Sequence, residues 1–163
     1  MTQASTGYAV GTVPNPHQVS MLTTRCYARP VPILVAIRSI AELASVTEQV
    51  TAAMIGKCYP QRDVFAVRLG LEEALVNAFK HGHQGVTNKE VRVRYKVTDE
   101  EVVVEVEDQG PGFNPTSVPD PTAEENLGRT GGRGLLLMRH YLTGVRYHGR
   151  GNCVTLLKRR TEM

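Results

Sequence analysis

Tryptophan is absent from this 163-residue chain, and its aromatic content is limited to six Tyr and three Phe. Proteins that hold single strands of nucleic acid stack the bases on aromatic rings, so no such platform is expected. Neither sign of charge dominates. Nineteen Lys and Arg stand against 16 Asp and Glu, for a net charge of +3, which is too balanced to argue for a nucleic-acid partner. Long apolar runs are missing too. The longest nearly uncharged stretch, Pro30 to Ile37, falls far short of the roughly 20 residues a bilayer-spanning helix needs, so no membrane association is expected. The three cysteines, Cys26, Cys58 and Cys153, are far apart and form no C-x-x-C pair. This argues against a disulfide framework and for reduced thiols, packed as small apolar residues in a cytoplasmic protein. Met1 to Gln18 has neither a basic start nor an apolar run, so no signal peptide is expected. No G-x-x-x-x-G-K-[ST] phosphate loop occurs, and no Ser-His-Asp or Cys-His set has distinctive spacing.

What is present fits one globular domain. Apolar residues make up 41% and charged residues 21%, ordinary values for a chain that buries a single core. Residues 1–17 are polar, interrupted by Pro14-Asn15-Pro16, and read as a mobile tail. A domain is expected over 18–160. Val19 to Tyr27 is β-capable. From Pro32 to about Gly56, Ile33, Ile37, Ile40, Ala41, Ala44, Val50 and Met54 recur at helical intervals, and the spacing predicts one helix. A second helix is predicted from Gln61 to His81, with Val64, Val67, Leu71, Ala74, Leu75 and Ala78 inward and Gly82 as its stop. Val91 to Val97 and Val102 to Glu107 alternate as strands, with Thr98 to Glu101 as the turn. Their polar faces set Arg92, Arg94 and Lys96 against Glu105 and Glu107. Asn114 to Thr130 is long and polar, as lids are. A short helix from Gly134 to Leu142 and a hairpin of Val145 to His148 with Cys153 to Lys158 close the chain, and Lys158-Arg159-Arg160 reads as a solvated terminus. The predicted fold class is an α/β (α+β) two-layer sandwich, with helices on one face of a mixed, largely antiparallel sheet.

Three runs carry chemistry. Glu73 and Asn77 stand one helical turn apart on a shared face. An amide oxygen ligates Mg²⁺ without cancelling its charge, and a carboxylate one turn away can accept a proton. The same pair also suits the solvated face of an amphipathic helix. Lys80 either reaches a phosphate or stays in water. Asp108-Gln109-Gly110-Pro111-Gly112-Phe113 follows a strand. Its carboxylate can accept an exocyclic amine and its glycines let backbone approach a flat ligand, but the run also suits a tight turn. Gly131-Gly132-Arg133-Gly134 opens the apolar Leu135-Leu136-Leu137-Met138. Amides at a helix start bind phosphate, and Arg129 and Arg133 would add charge. A flexible loop entering a core helix has the same composition. The glycines follow a polar loop rather than a strand, so a dinucleotide fingerprint does not fit. His81-Gly82-His83 lacks a third metal ligand nearby and reads as a helix end.

In this order the three runs resemble the GHKL superfamily, the ATP-binding domain type of gyrase, histidine kinases and MutL. Glu73 to Asn77 with Lys80-His81-Gly82 is similar to its N box, Asp108 to Phe113 to its first glycine box, and Gly132 to Met138 to its second. The E-A-x-x-N-A-x-x-H-G form and the G-R-G-L-x-L-M-R run resemble the small anti-sigma factor serine kinases. The resemblance implies a Bergerat-type fold and an ATP–Mg²⁺ site. Glu73 would be the catalytic base, and Asn77 the metal ligand. Lys80, Asp108, Gly110, Gly112, Phe113, Arg129, Gly132, Arg133, Gly134 and Leu135 would surround the nucleotide, with a lid over about 114–130. It implies phosphorylation of a serine on an anti-anti-sigma partner of STAS type, sequestration of a sigma factor, and in many members a homodimer. A non-catalytic module that captures a partner in a nucleotide-dependent way is the alternative. Thr143-Gly144 departs from that branch, which often has an acidic residue there.

Overall fold

The computed structural model describes residues 33–82, 89–114, 117 and 133–162. The expected tail, the β-capable run Val19 to Tyr27 and most of the expected lid lie outside these residues. In chain order the elements are strand β1 (Ile33–Ile37), a 3₁₀ turn (Ile40–Glu42), helix α1 (Leu43–Gly56), helix α2 (Gln61–Asn77) running into a π-helical turn (Ala78–Gly82), strands β2 (Val91–Val97) and β3 (Glu101–Glu107), helix α3 (Arg133–Tyr141), and strands β4 (Gly144–His148) and β5 (Cys153–Arg159). The sheet runs β1-β2-β3-β5-β4. All four pairings are antiparallel, so the mixed sheet that was expected is antiparallel throughout its described strands. None of the described helices is long and apolar enough to cross a membrane.

The single helix expected from Pro32 to Gly56 is the main correction. Ile33–Ile37 is an edge strand registered against Val91 to Tyr95, and the α-helix begins only at Leu43. An unbroken run of five apolar residues satisfies helical and strand spacing equally. Here its β-branched residues and the open edge of β2 decide for a strand. Ile40, expected inside, is 68% exposed. The turn is held locally: Ser39 Oγ donates to Glu42 Oε1 at 2.7 Å and the Arg38 amide donates to Oε2 at 3.3 Å. Those two donors hold the Glu42 carboxyl below the usual carboxylate range.

The rest follows the alternation in the sequence. Val91, Val93 and Tyr95 join Val102, Val104 and Val106 on the inner face of the sheet. Onto that face pack Val46, Val50 and Met54 of α1 and Val64, Val67, Leu71, Ala74 and Leu75 of α2, all buried. On the opposite face Arg94 pairs with Glu105, and with Glu107 at 3.2 Å. Arg92 instead bonds Glu90 at 3.0 Å, and Lys96 lies opposite Val103 rather than a carboxylate.

The expected solvated terminus is instead an anchor. Asp63, in the first turn of α2, is fully buried (0% exposed). It accepts from the Thr161 amide at 2.9 Å and from Thr161 Oγ1 at 3.0 Å, and pairs with Lys158 Nζ at 3.3 Å. Arg160 caps the turn between α1 and α2. It donates to the Lys57 and Cys58 carbonyls at 3.1 and 2.7 Å and lies 5.0 Å from the Tyr59 ring centre. Cys58 is exposed, not packed inside as expected, and takes a left-handed backbone (φ 56°) after α1. Cys153 is half-buried, and burial pushes its thiol up to about 12.

Two outcomes follow. Asp63→Ala leaves the largely buried Lys158 ammonium with the Tyr141 carbonyl at 3.1 Å but without its counter-charge, and should cost about 3 kcal/mol in urea unfolding, with part regained by adding Lys158→Met. Iodoacetamide at pH 8 should modify Cys58 well before Cys153, read by mass spectrometry of the folded protein, because the thiolate is the attacking form.

Candidate functional site

The anchor at Asp63 sets the direction of α2. Thr161 and Lys158 stand at the end of β5, where Arg159 pairs with Glu101 at the start of β3. α2 packs against both β3 and β5. It therefore leaves from the Glu101 end of β3 and runs toward the Asp108 end. Its 17 residues span ~25 Å, close to the ~23 Å of the seven-residue β3. The first motif, on the last turn of α2, and the second, just past β3, thus come to the same end of the two layers.

On that last turn Glu73 and Asn77 are half-buried, flanking the buried Ala74, Leu75 and Ala78. The helix then widens into the π turn Ala78–Gly82. This buries Phe79 and leaves Lys80 exposed. Such widened turns recur at functional sites, because they re-aim side chains at a helix end. The side chains of His81 and His83 lie outside the described residues.

Glu73 meets the third motif directly. Gly134, in the first turn of α3, lies so close that a β-carbon there would overlap Glu73 Oε2 and come within 3.1 Å of its Cδ. Glycine at 134 thus lets the Glu73 carboxylate take this position. Leu135, Met138 and Leu142, on the same side of the helix as Gly134, fix it by their burial. Arg133 opens α3 as an exposed residue. Arg129 and Gly132 lie outside the described residues.

The second motif is shaped by its own carboxylate. Asp108 Oδ1 accepts from the Gly110 amide at 2.6 Å, a side chain imitating a backbone turn. The loop docks on the turn between β4 and β5. Asp108 N donates to the Asn152 carbonyl at 2.9 Å, and Asn152 Nδ2 donates back to the Asp108 carbonyl at 2.7 Å. Gly112 (φ 78°) and Gly151 (φ 88°) sit in the left-handed region, each pressed on the other loop's backbone: Gly112 on the Arg150 carbonyl, Gly151 on the Phe113 carbonyl. Phe113 packs edge-on against Tyr147, ring centres 4.9 Å apart, and burial pushes the Tyr147 hydroxyl up to about 12. The sequence marked Gly149-Arg150-Gly151-Asn152 only as a hairpin turn. Its paired glycines were a sign of close backbone approach, but not of which backbone approaches.

The donor set bears on what the site can hold. Among the described residues no three His, Cys, Asp or Glu side chains gather to hold a metal. Asn77 offers one amide oxygen at the end of α2, and Mg²⁺ on a nucleotide accepts so few protein ligands because phosphate oxygens and waters supply the rest. A model of the histidine kinase-like ATPase domain matches residues 34–158.

The chain belongs to that family.

As a histidine kinase-like ATPase domain it binds ATP. An 88-residue segment of this chain is 30% identical to the serine/threonine-protein kinase BtrW of Bordetella bronchiseptica. The match covers 53% of this chain and 62% of that relative, so it spans less than two thirds of the relative's length.

Gly134→Ala tests the contact between motifs. The overlap falls on the far end of a flexible side chain, so the fold should survive at a cost below about 1 kcal/mol. The Glu73 carboxylate should swing aside, and ATP turnover should fall far more than ATP affinity.

Proposed function

We propose that this ATPase domain is an ATP–Mg²⁺-dependent serine protein kinase of the anti-sigma type. It would phosphorylate an anti-anti-sigma partner of STAS type and sequester a sigma factor, as a homodimer in the cytoplasm. The observation that carries the reading is the contact of Glu73 with Gly134. It sets a carboxylate, one turn before an amide, against the glycine-opened start of α3. The name of the Bordetella relative supports transfer to a hydroxyl.

In this reading Asn77 holds the magnesium ion, and Lys80, Arg129 and Arg133 face the phosphates. Asp108 accepts the amine of adenine. Gly110, Gly112, Phe113, Gly132, Gly134 and Leu135 line the nucleotide, and 114–130 is the lid. The bound ion would neutralise charge on the phosphates. Glu73 takes the proton of the partner's serine hydroxyl as its oxygen bonds to the γ-phosphorus and ADP leaves. Phosphoryl transfer asks mainly for positioning and charge neutralisation, and a rigid helix end supplies the positioning.

With γ-labelled ATP and a STAS-domain partner, label should appear on a serine. Glu73→Gln should slow transfer ~10²–10⁴-fold, the range for removing a general base, with ATP binding by calorimetry nearly unchanged. Asn77→Ala should weaken ATP binding in magnesium and little in EDTA. ATP-dependent capture of the partner without any labelled product would replace the kinase with the non-catalytic binding module.

A further inference from the structure

We propose that Arg150, with Asn152 beside it, is a positioning residue for recognition of the nucleotide base: the turn between β4 and β5 sets the direction of the Asp108 carboxylate. The inference rests on the reading that Asp108 receives the adenine amine, and it adds what makes that carboxylate selective.

Arg150 is an exposed residue on a hairpin turn, and such an arginine ordinarily leaves its head in water. Here Arg150 Nε donates to the Gly110 carbonyl at 3.0 Å, 40 residues away in sequence. Its stem follows the loop: Arg150 Cγ is 3.0 Å from where a β-carbon on Gly112 would sit, and its own carbonyl presses on Gly112. Asn152 ties the other side, bonding the Asp108 amide through its backbone and the Asp108 carbonyl through its side chain.

Together these bonds hold the backbone on both sides of Gln109. The need is specific to this loop. Pro111 has no amide to donate, so the segment between Gly110 and Gly112 cannot tie itself down by a backbone bond at that position. Asp108 Oδ1 accepts from the Gly110 amide, so the carboxylate follows any displacement of Gly110. Arg150 holds that residue from its other side, through the carbonyl of the next peptide plane, and a charged donor resists the displacement more strongly than a neutral one. A carboxylate accepting one amine in one direction distinguishes purines by that amine. A carboxylate free to rotate does not.

The experiment compares ATP with inosine triphosphate, which carries an oxygen in place of the exocyclic amine, by calorimetry on the full chain. Wild type should prefer ATP ~10–100-fold, the range for a hydrogen bond to a charged group. Arg150→Ala should bring that ratio down toward unity, mostly by weakening ATP. Arg150→Lys, which keeps a cationic donor, should restore part of it. Asn152→Asp, which puts an acceptor against the Asp108 carbonyl, should lower the ratio independently of Arg150. Thermal unfolding of each variant separates positioning from support of the fold. A preference unchanged in Arg150→Ala, whatever its melting temperature, overturns the proposal. Equal affinity of wild type for the two nucleotides overturns the adenine role of Asp108 instead.

Discussion

Asp63 decides how the two layers of this protein meet. Its carboxylate is wholly buried, so it must be compensated, and its partners are the amide and hydroxyl of Thr161 and the ammonium of Lys158. Those partners lie at the end of β5, antiparallel to β3. The start of α2 is therefore held at the start of β3, and the two elements, nearly equal in length, finish together. Without this tie the apolar face of α2 would pack on the valines of the sheet with little regard to direction, since hydrophobic burial is non-directional. The polar anchor supplies a sense that the core alone lacks.

At the other end the constraint is close approach. Gly134 lets the carboxylate of Glu73 lie against the backbone of α3, and Gly112 and Gly151 let two loops share a surface. Each contact joins residues far apart in sequence through the absence of a side chain. One junction joins the end of α2 to the start of α3, and the other joins the loop after β3 to the turn between β4 and β5. The π turn after Asn77 belongs to the same economy: it ends a helix whose inner face is fully buried while keeping Lys80 at the surface.

Periodic segments were legible in the chain itself. The alternation of Val91 to Val97 and Val102 to Glu107 and the inward stripe of α2 appear where their patterns put them, because burial selects residue type at every second position or at every third and fourth. Ile33 to Ile37 was misread for an equally physical reason. Five apolar residues carry no period, and the vacant edge of β2 decided the outcome. Lys158 and Arg160 looked like a solvated tail because charge in sequence says nothing of a buried carboxylate 95 residues earlier or of a carbonyl-lined turn. Cys58 was misplaced because cysteine usually packs as a small apolar residue, whereas here it lies on the exposed turn after α1.

The chemistry of the site was a matter of residue type and local spacing, and both are properties of the chain: a carboxylate and an amide one turn apart, an acid beside glycines, a glycine turn before an apolar helix. The sequence alone therefore determined the family and the candidate groups. Tertiary structure decided which groups touch. Only folding could reveal that Glu73 lies against Gly134, or that Asn152 bonds Asp108 while Arg150 bonds Gly110. Such contacts depend on the direction of α2 and on loops meeting across 40 residues or more, and neither leaves a period or a motif to read.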